Sequence, residues 1–395
     1  MITVALAGKP NAGKSTFYTA STMADVDVGN YPFTTIDANR GVAAVRTRCP
    51  CLDRDRRCGN DRCHDGVRYV PVELLDVAGL VPGAHEGRGL GNQFLDELTA
   101  ADVVLQVVDA SGGTNAEGEP IEPGSRDPVA DVDFVDEELG RWLTGLVDDN
   151  WESVERKSRS PAFDLEESLT AMLTGVGATE PDVTAVLRDL EYPQDPNQWT
   201  GADRERLARA IRSRTKPMVV VANKADAAPE ATLDRLRAGT DKPVVPATAD
   251  GELALRRAVE AGVVEYDPGD DDFDVVGDVS DAQRAGLDAI REVMAQLGGT
   301  GVQTALNTAV YDRLDRITVY PVQDASQWTD GSGTMLPDAF LLPTGSTPRD
   351  LAYAVHTDIG DGYLHAVDAR SSRRIGEDHE LAEGDVVKIV STAGP

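Results

Sequence analysis

The octapeptide Gly8-Lys9-Pro10-Asn11-Ala12-Gly13-Lys14-Ser15 lies between an apolar, strand-like run at residues 2–7 and a helix-compatible run at 15–23. It matches G-x-x-x-x-G-K-[ST], whose backbone N–H groups converge on phosphates at a helix N-terminus. The lysine of this pattern reaches the β- and γ-phosphates, and the hydroxyl after it ligates Mg²⁺. A glycine turn alone can be purely structural, but the strand–turn–helix context favours a phosphate loop. We therefore predict that a nucleotide contacts Asn11, Ala12, Gly13, Lys14, Ser15 and Thr16.

Further apolar runs have the length of buried strands and predict a parallel sheet. They lie at residues 67–75, 103–108, 218–222 and 243–247. Asp76 and Asp109 directly follow the first two runs. Because parallel α/β sheets bind ligands at the carboxyl ends of their strands, we expect these acids near the phosphate loop.

Two motifs that follow have the order expected of a nucleotide switch. Asn30-Tyr31-Pro32-Phe33-Thr34-Thr35-Ile36 suits a first switch loop, in which Thr35 ligates Mg²⁺ while the γ-phosphate is present. Asp76-Val77-Ala78-Gly79 suits a second switch, in which Asp76 holds Mg²⁺ through water and the Gly79 N–H meets the γ-phosphate. A lone Asp-x-x-Gly is more often an ordinary turn, so this interpretation depends on the phosphate loop before it.

The motif Asn223-Lys224-Ala225-Asp226 follows the run 218–222 and predicts a guanine-reading loop. The Asp226 carboxylate can accept from guanine N1–H and N2–H₂, whereas adenine would leave the acid unsatisfied. Asn223 is expected to brace the loops, and the Lys224 stem to cover the base. Thr248-Ala249-Asp250 follows the run 243–247 and fits a last loop, in which a backbone N–H contacts guanine O6.

Composition indicates a cytosolic protein of more than one domain. The chain has 395 residues and is 41% apolar, has no run of 18 apolar residues, and lacks a basic leader with a cleavage site. Its formal charge of -30 includes only seven lysines against 31 arginines. An acidic, lysine-poor surface stays hydrated in concentrated salt, so we favour a halophilic source over a chain that binds cations or basic partners.

The pattern divides the chain into five predicted segments. These are a first part of the G domain at 1–110 with a Cys-rich hairpin at 48–66, a helical insertion at 111–215, the second part of the G domain at 216–265, a linker with helices at 266–315, and a small α+β domain at 316–393.

All four cysteines of the chain lie in the hairpin, with the spacing Cys49-x-Cys51-x₆-Cys58-x₄-Cys63. Four thiolates on a short hairpin can surround Zn²⁺ tetrahedrally. A redox-sensitive cluster and four free thiols are the alternatives. The tip around Asp53 and Arg54 is polar, so we expect it to be exposed, without a core to bury the thiols.

Longer stretches resemble a known family. The first switch loop and the segment 76–91, Asp76-Val77-Ala78-Gly79-Leu80-Val81-Pro82-Gly83-Ala84-His85-Glu86-Gly87-Arg88-Gly89-Leu90-Gly91, resemble the Obg-type G domain of the YchF/Obg/Drg superfamily. Segments 345–352 and 381–390 resemble a TGS domain, a ubiquitin-like β-grasp module also found in threonyl-tRNA synthetase. The order of these domains along the chain resembles that of archaeal YchF-like GTP-binding proteins. This resemblance implies a P-loop NTPase G domain with inserted helices, a C-terminal TGS domain, and association with ribosomes or RNA.

One departure from the family bears on the nucleotide. YchF is described as preferring ATP and has an altered base-reading motif, whereas Asn223-Lys224-Ala225-Asp226 is intact here. We therefore predict GTP, with ATP hydrolysis of the YchF type as an alternative.

The group that activates water for hydrolysis is not evident. Leu80 stands where Ras-like GTPases have a glutamine, so intrinsic GTP hydrolysis is expected to be slow. A K⁺ ion held by Asn11 would neutralise transition-state charge, or Asn11 only stabilises the loop. His85 would position water, or makes a structural contact.

Two classes of function remain open at this point. The chain is either a guanine-nucleotide switch with slow GTPase activity in translation, or a nucleotide-gated RNA-binding scaffold in which hydrolysis is incidental. A P-loop kinase has no use for a guanine reader.

In the C-terminal domain, a set of arginines either contacts RNA phosphates or forms a solvated, salt-adapted surface. The set is Arg349, Arg370, Arg373 and Arg374.

Overall fold

The computed structural model describes residues 1–22, 39–54, 56–77 and 97–392. Its largest element is a seven-stranded sheet. The strands are β1 Thr3–Ala7, β2 Arg40–Arg48, β3 Cys63–His64, β4 Val67–Asp76, β5 Val103–Asp109, β6 Met218–Asn223 and β7 Val244–Ala247. Their order is β2-β4-β1-β5-β6-β7, and β3 pairs with β4. β2 and β3 run antiparallel to β4, and the other neighbours are parallel.

The side chains of the central strand β1 alternate between the hydrophobic cores on the two faces of the sheet. Val4 and Leu6 belong to a buried cluster on one side, together with Phe17 of helix α1, Lys14–Thr22. Ala5 and Ala7 belong to the cluster on the other side. Because successive side chains of a strand point to opposite faces, this strand of five residues packs against the helices on both faces of the sheet.

The insertion between β5 and β6 is helical only in part. Residues 111–128 are irregular, which differs from the expectation of a wholly helical insertion. The helices that follow are α2 Val129–Lys157, α3 Leu165–Leu173, α4 Glu180–Leu190 and α5 Gly201–Thr215. The first half of α2 packs Val135 and Leu139 against the sheet, while Leu143 and Trp151 belong to a separate core shared with the other three helices. One helix therefore connects the helical core to the nucleotide domain.

Helices and two short strands lie between β6 and the C-terminal domain. Its elements are α6 Glu230–Ala238, α7 Ala249–Glu260, β8 Val264–Glu265, β9 Asp274–Val275, α8 Asp281–Leu297 and α9 Val302–Asn307, followed by a π-helical turn at Thr308–Arg313. The first part of the segment 266–315, which was predicted as a linker with helices, packs into a core, since Tyr266 and Phe273 are buried. α9 packs on the face of the sheet that holds α1.

The C-terminal domain is a five-stranded mixed sheet with two short helices. The elements are β10 Arg316–Val322, β11 Phe340–Pro343, α10 Pro348–Val355, α11 Thr357–Asp361, β12 Tyr363–Asp368, β13 Arg373–Ile375 and β14 Val386–Ser391. The order is β11-β10-β14-β12-β13, with β10 parallel to β14. Thr347 starts α10 with a capping box completed by Asp350. In the described ranges of the chain, helices with the length and apolarity needed to cross a membrane are absent.

Candidate functional site

The phosphate loop leaves β1 and enters α1 in the conformation that its sequence requires. The first helical bond joins Phe17 N–H to Gly13 O at 2.9 Å, so the N–H groups of residues 14–16 have no carbonyl of their own helix to meet. Gly13 has φ +99°, and a Cβ there would lie 2.1 Å from Asn223 Nδ2. Glycine is therefore needed for both conformation and space, and the loop presents backbone donors at a helix N-terminus.

Lys14 and Asp76 form the charged part of the site. Lys14 Nζ donates to Gly8 O and Lys9 O, each at 3.0 Å, so its ammonium lies inside the curve of the loop. Burial lowers the pKa of Lys14 to about 8, an effect that the Asp76 carboxylate partly offsets. A buried ammonium of this kind gains most from an anionic ligand, which a triphosphate would supply.

Ser15 and Asp76, the two described residues of the predicted Mg²⁺ site, lie together. Ser15 Oγ donates to Asp76 Oδ2 at 3.0 Å. Burial raises the pKa of Asp76, and the hydrogen bond from Ser15 opposes that rise. The second oxygen, Oδ1, is buried and accepts no hydrogen bond from the described residues. A hydroxyl and a carboxylate with a free oxygen fit a hard dication. The third predicted ligand, Thr35, lies outside the described residues, as do Gly79, Leu80 and His85.

Asn223 joins three loops of the site, as the sequence predicted for a bracing residue. Its side chain is 2% exposed. Nδ2 donates to Ala12 O at 3.0 Å in the phosphate loop, and Oδ1 accepts from Ala249 N–H at 3.1 Å in the last loop. The carboxyl ends of β1, β6 and β7 are thereby held in one arrangement.

Lys224 ties the base-reading loop to its neighbours. Its backbone is left-handed at φ +59°, and Nζ donates to Asn11 O and Asp109 Oδ2, each at 2.9 Å. Although burial opposes it, the Ser111 hydroxyl and the Lys224 ammonium hold the pKa of Asp109 below its usual range. Asp226 follows in a short 3₁₀ turn and is exposed, so its carboxylate is available to a base.

The last loop begins helix α7, and its first two amides are already engaged. Thr248 N–H donates to Thr300 O at 2.8 Å, and Ala249 N–H donates to Asn223. The Thr248 hydroxyl caps the helix by accepting from Gly251 N–H. Thr248 and Ala249 therefore lie where the sequence predicted, with their N–H groups directed to protein acceptors.

The irregular segment 111–128 contacts the phosphate loop. The sequence did not predict that this segment belongs to the nucleotide site. Lys9 is buried, donates to Thr114 O at 2.8 Å and pairs with Asp131 at 2.6 Å. Asn11 Nδ2 donates to Gly118 O at 2.9 Å. The one sequence signal for these contacts is the acid at the end of β5, which marks where the segment begins. The start of the insertion is therefore a wall of the nucleotide site.

The four cysteines form a second candidate site. The polar tip is exposed at Asp53, as expected, but the expectation that the thiols have no core is wrong. Cys49 and Cys51 are fully buried, in a cluster with Trp328 and Leu336 of the C-terminal domain. The four sulfurs lie within 4.8 Å of one another. The C-terminal domain supplies the core that buries the thiols of Cys49 and Cys51.

The predicted RNA-contacting arginines differ in their surroundings. Arg370 pairs with Asp53 of the hairpin at 2.9 Å, so it holds two parts of the protein together. Arg349 lies 3.8 Å from Glu377. Arg373 and Arg374 are exposed on β13, at the edge of the sheet. Arg370 is therefore engaged within the protein, whereas Arg373 and Arg374 are exposed to solvent.

Comparisons with known proteins agree with this geometry. Residues 3–143 match the family described as 50S ribosome-binding GTPase, residues 221–324 match the Obg-like GTPase YGR210-like, G4 motif-containing domain, and residues 332–391 match the TGS domain. An uncharacterized GTP-binding protein of Methanocaldococcus jannaschii is 44% identical over 399 residues and is matched over 100% of both chains.

Two further comparisons bear on structure and activity. The crystal structure of a GTP-binding protein from Pyrococcus horikoshii superimposes with a TM-score of 0.81 at 36% identity, covering 99% of this chain and 100% of that one. A ribosome-binding ATPase YchF of Buchnera aphidicola is 39% identical over 133 residues, covering 33% of this chain and 34% of the relative. The predicted fold class, a P-loop G domain with a helical region and a C-terminal TGS domain, is confirmed.

Proposed function

Because the chain belongs to the YchF-like, Obg-type family of GTP-binding proteins, we propose that it is a guanine-nucleotide switch that hydrolyses GTP slowly with Mg²⁺ and acts at the ribosome. The observation that carries this proposal is the single arrangement of phosphate loop, base-reading loop and last loop around Asn223. Asn223 is bonded to the phosphate loop that contains the buried Lys14, and the exposed Asp226 follows it three residues later.

Guanine is the base that this arrangement favours. A carboxylate at position 226 accepts two hydrogen bonds from guanine N1–H and N2–H₂, and adenine has no such pair of donors on that edge. The Asp250 N–H would add a donor to O6 at the start of α7. The alternative, ATP hydrolysis, is favoured by the name of the Buchnera relative, which is called an ATPase.

Mg²⁺ would be held by Ser15 and Asp76 from the described part of the site and by Thr35 from the first switch. When bound, the ion neutralises charge on the β- and γ-phosphates. Ser15 would turn its hydroxyl oxygen to the ion. The free Oδ1 of Asp76 would accept a hydrogen bond from a water molecule bound to the ion. Lys14 would exchange the carbonyls of Gly8 and Lys9 for phosphate oxygens.

Slow hydrolysis follows from Leu80, which cannot orient water. K⁺ at Asn11 is one proposed remedy. A K⁺ ligand uses the amide oxygen, whereas the contact to Gly118 uses the amide nitrogen, so the same side chain can do both. His85 is the second proposed remedy, as a residue that positions water. Leu80 also favours the rival function, an RNA-binding scaffold gated by nucleotide, in which turnover is incidental.

Association with the ribosome is proposed from the family description for residues 3–143 and from the name of the Buchnera relative. The TGS domain, with the exposed arginines of β13, is the proposed contact with RNA, and the cytoplasm is the proposed location. Chain acidity argues for testing these interactions in concentrated KCl, as a halophilic protein would require.

Ribosome co-sedimentation with GTP, GDP or no nucleotide, combined with phosphate release, tests the proposal. We expect more protein on ribosomes with GTP than with GDP, and faster phosphate release when ribosomes are present. A Lys14→Ala variant, which loses the phosphate-binding ammonium, should sediment equally under all three conditions. Nucleotide-dependent binding without any acceleration of release would favour the scaffold, and nucleotide-independent binding would contradict the switch.

A further inference from the structure

We propose that Cys49, Cys51, Cys58 and Cys63 bind one Zn²⁺ ion, and that this ion clamps the C-terminal domain onto the nucleotide domain. The inference is independent of which nucleotide the protein binds. It depends on the arrangement of the sulfurs, on the backbone bonds of the hairpin, and on the contacts that the hairpin makes with the domain beyond it.

The sulfur positions fit tetrahedral coordination. Cys49 Sγ lies 4.0 Å from Cys58 Sγ, and Cys51 Sγ lies 3.9 Å from Cys63 Sγ. A zinc–sulfur distance of about 2.3 Å implies about 3.8 Å between sulfurs at the corners of a tetrahedron. All four sulfurs are within 4.8 Å of one another, and the cysteines are not disulfide-bonded. Small shifts of side chains would therefore complete the site.

Backbone hydrogen bonds within the hairpin hold the cysteines near one another. Cys49 N–H donates to Gly66 O, and Cys63 N–H donates to Asn60 O, each at 2.8 Å. Gly66 is held at φ +95°, and a Cβ there would lie 2.5 Å from Leu52 Cδ2, so the turn that supplies this carbonyl requires glycine.

Nearby guanidinium groups offset the charge of the proposed centre. Zn²⁺ with four thiolates carries a net charge of −2, and binding releases the thiol protons to solvent. Arg68 is 1% exposed and is close enough to Cys58 for charge attraction. Arg57 attracts Cys51 and Cys63 in the same way from the surface, where solvent weakens the effect. A buried cation beside four neutral thiols would be unfavourable, whereas beside a dianion it is stabilised.

The same hairpin carries the contacts that hold the C-terminal domain. Asp53 pairs with Arg370 at 2.9 Å, and Asn60 Nδ2 donates to Leu336 O at 3.2 Å. Arg68 also donates to Leu336 O. These residues flank the cysteines, so a metal that fixes the fold of the hairpin also fixes the partners of the C-terminal domain.

Trp328 reports directly on this docking. It is buried at 3% exposure in the cluster with Cys49 and Cys51, and the Arg54 guanidinium lies 4.2 Å above its ring. The other three of the four tryptophans, at positions 142, 151 and 199, belong to the helical insertion. A ¹⁹F spectrum of full-length protein labelled with fluorotryptophan therefore separates the hairpin from the rest of the chain, with Trp328→Phe to assign the resonance.

Metal analysis of wild-type protein comes first, and we expect about one zinc per chain. Growth with Co²⁺ should give the near-ultraviolet charge-transfer bands of cobalt thiolate. Cys58→Ser should lose most of the metal and shift or broaden the Trp328 resonance while the other three stay in place. Asp65→Ser, a change to an exposed residue on the same hairpin that keeps all four thiols, should retain both metal and spectrum.

Several results would overturn the proposal. Wild-type protein with four reactive thiols and no metal would reject the site, and iron in place of zinc would reject the assigned ion. Loss of zinc in Cys58→Ser with an unchanged Trp328 resonance would reject the clamp. GTP binding measured on Cys58→Ser should remain, which separates this inference from the proposed nucleotide function.

Discussion

Replacement of Asn223 by alanine should weaken nucleotide binding because this residue links the loops that hold phosphate and base. The change removes the bonds at 3.0 Å to Ala12 O and at 3.1 Å from Ala249 N–H, in a position that is 2% exposed. A buried backbone group left without its partner costs about 1–3 kcal/mol, so the free energy of unfolding should fall by about 2–6 kcal/mol. If about 1.4 kcal/mol of this loss comes from displacement of the loops that contact the nucleotide, the affinity for nucleotide falls about tenfold.

The chain offers a matched control in Asn307. Its side chain makes the same pair of bonds to another backbone, donating to Arg46 O at 2.8 Å and accepting from Arg46 N–H at 2.9 Å. Asn307→Ala should therefore destabilise the protein without changing affinity for nucleotide. Urea unfolding in concentrated KCl measures stability, and calorimetric titration with GDP and GTP measures affinity. Equal affinity losses in the two variants, or unchanged affinity in Asn223→Ala, would refute the linking role.

Three shorter predictions concern the same site. Affinity for GTP should fall as pH rises above about 8, because burial lowers the pKa of Lys14 to about 8 in the free protein and the triphosphate needs the protonated ammonium; pH-independent titrations up to about pH 9 would contradict this. GTP hydrolysis should be faster in KCl than in NaCl at equal ionic strength, and equal rates would remove K⁺ from the account of Asn11. His85→Ala should lower the rate of hydrolysis with little effect on binding, and a wild-type rate would leave His85 a structural role.

The strands of the nucleotide domain and the grouping of its motifs followed from sequence. Apolar runs of strand length end at Asp76 and Asn223, and parallel strands bring their carboxyl ends to one edge of a sheet. Lys14, Ser15 and Asp76 therefore meet as expected. Periodicity and turn chemistry are local properties, and they are sufficient where a site is assembled by neighbouring strand ends.

Contacts between distant segments were not accessible in this way. The pair Lys9–Asp131 joins the phosphate loop to the first turn of α2, and the bond from Asn11 to Gly118 O joins it to the irregular segment before that helix. Both partners lie more than 100 residues later in the chain, and no periodic pattern marks them. The burial of the cysteines has the same origin. The tip itself is exposed at Asp53, while the core around the cysteines comes from the C-terminal domain. Arg370 of that domain, the partner of Asp53, lies 317 residues away.

Calorimetric titration of full-length protein with GTP and ATP in parallel, with Mg²⁺ and concentrated KCl, tests the base-reading role of Asp226 most directly. GTP should bind more tightly than ATP by at least tenfold, about 1.4 kcal/mol, because adenine leaves the carboxylate without two hydrogen bonds. Asp226→Ala should reduce this preference while ATP affinity stays unchanged. Equal affinities for the two nucleotides, or tighter binding of ATP, would contradict the account of the protein as a guanine-nucleotide switch.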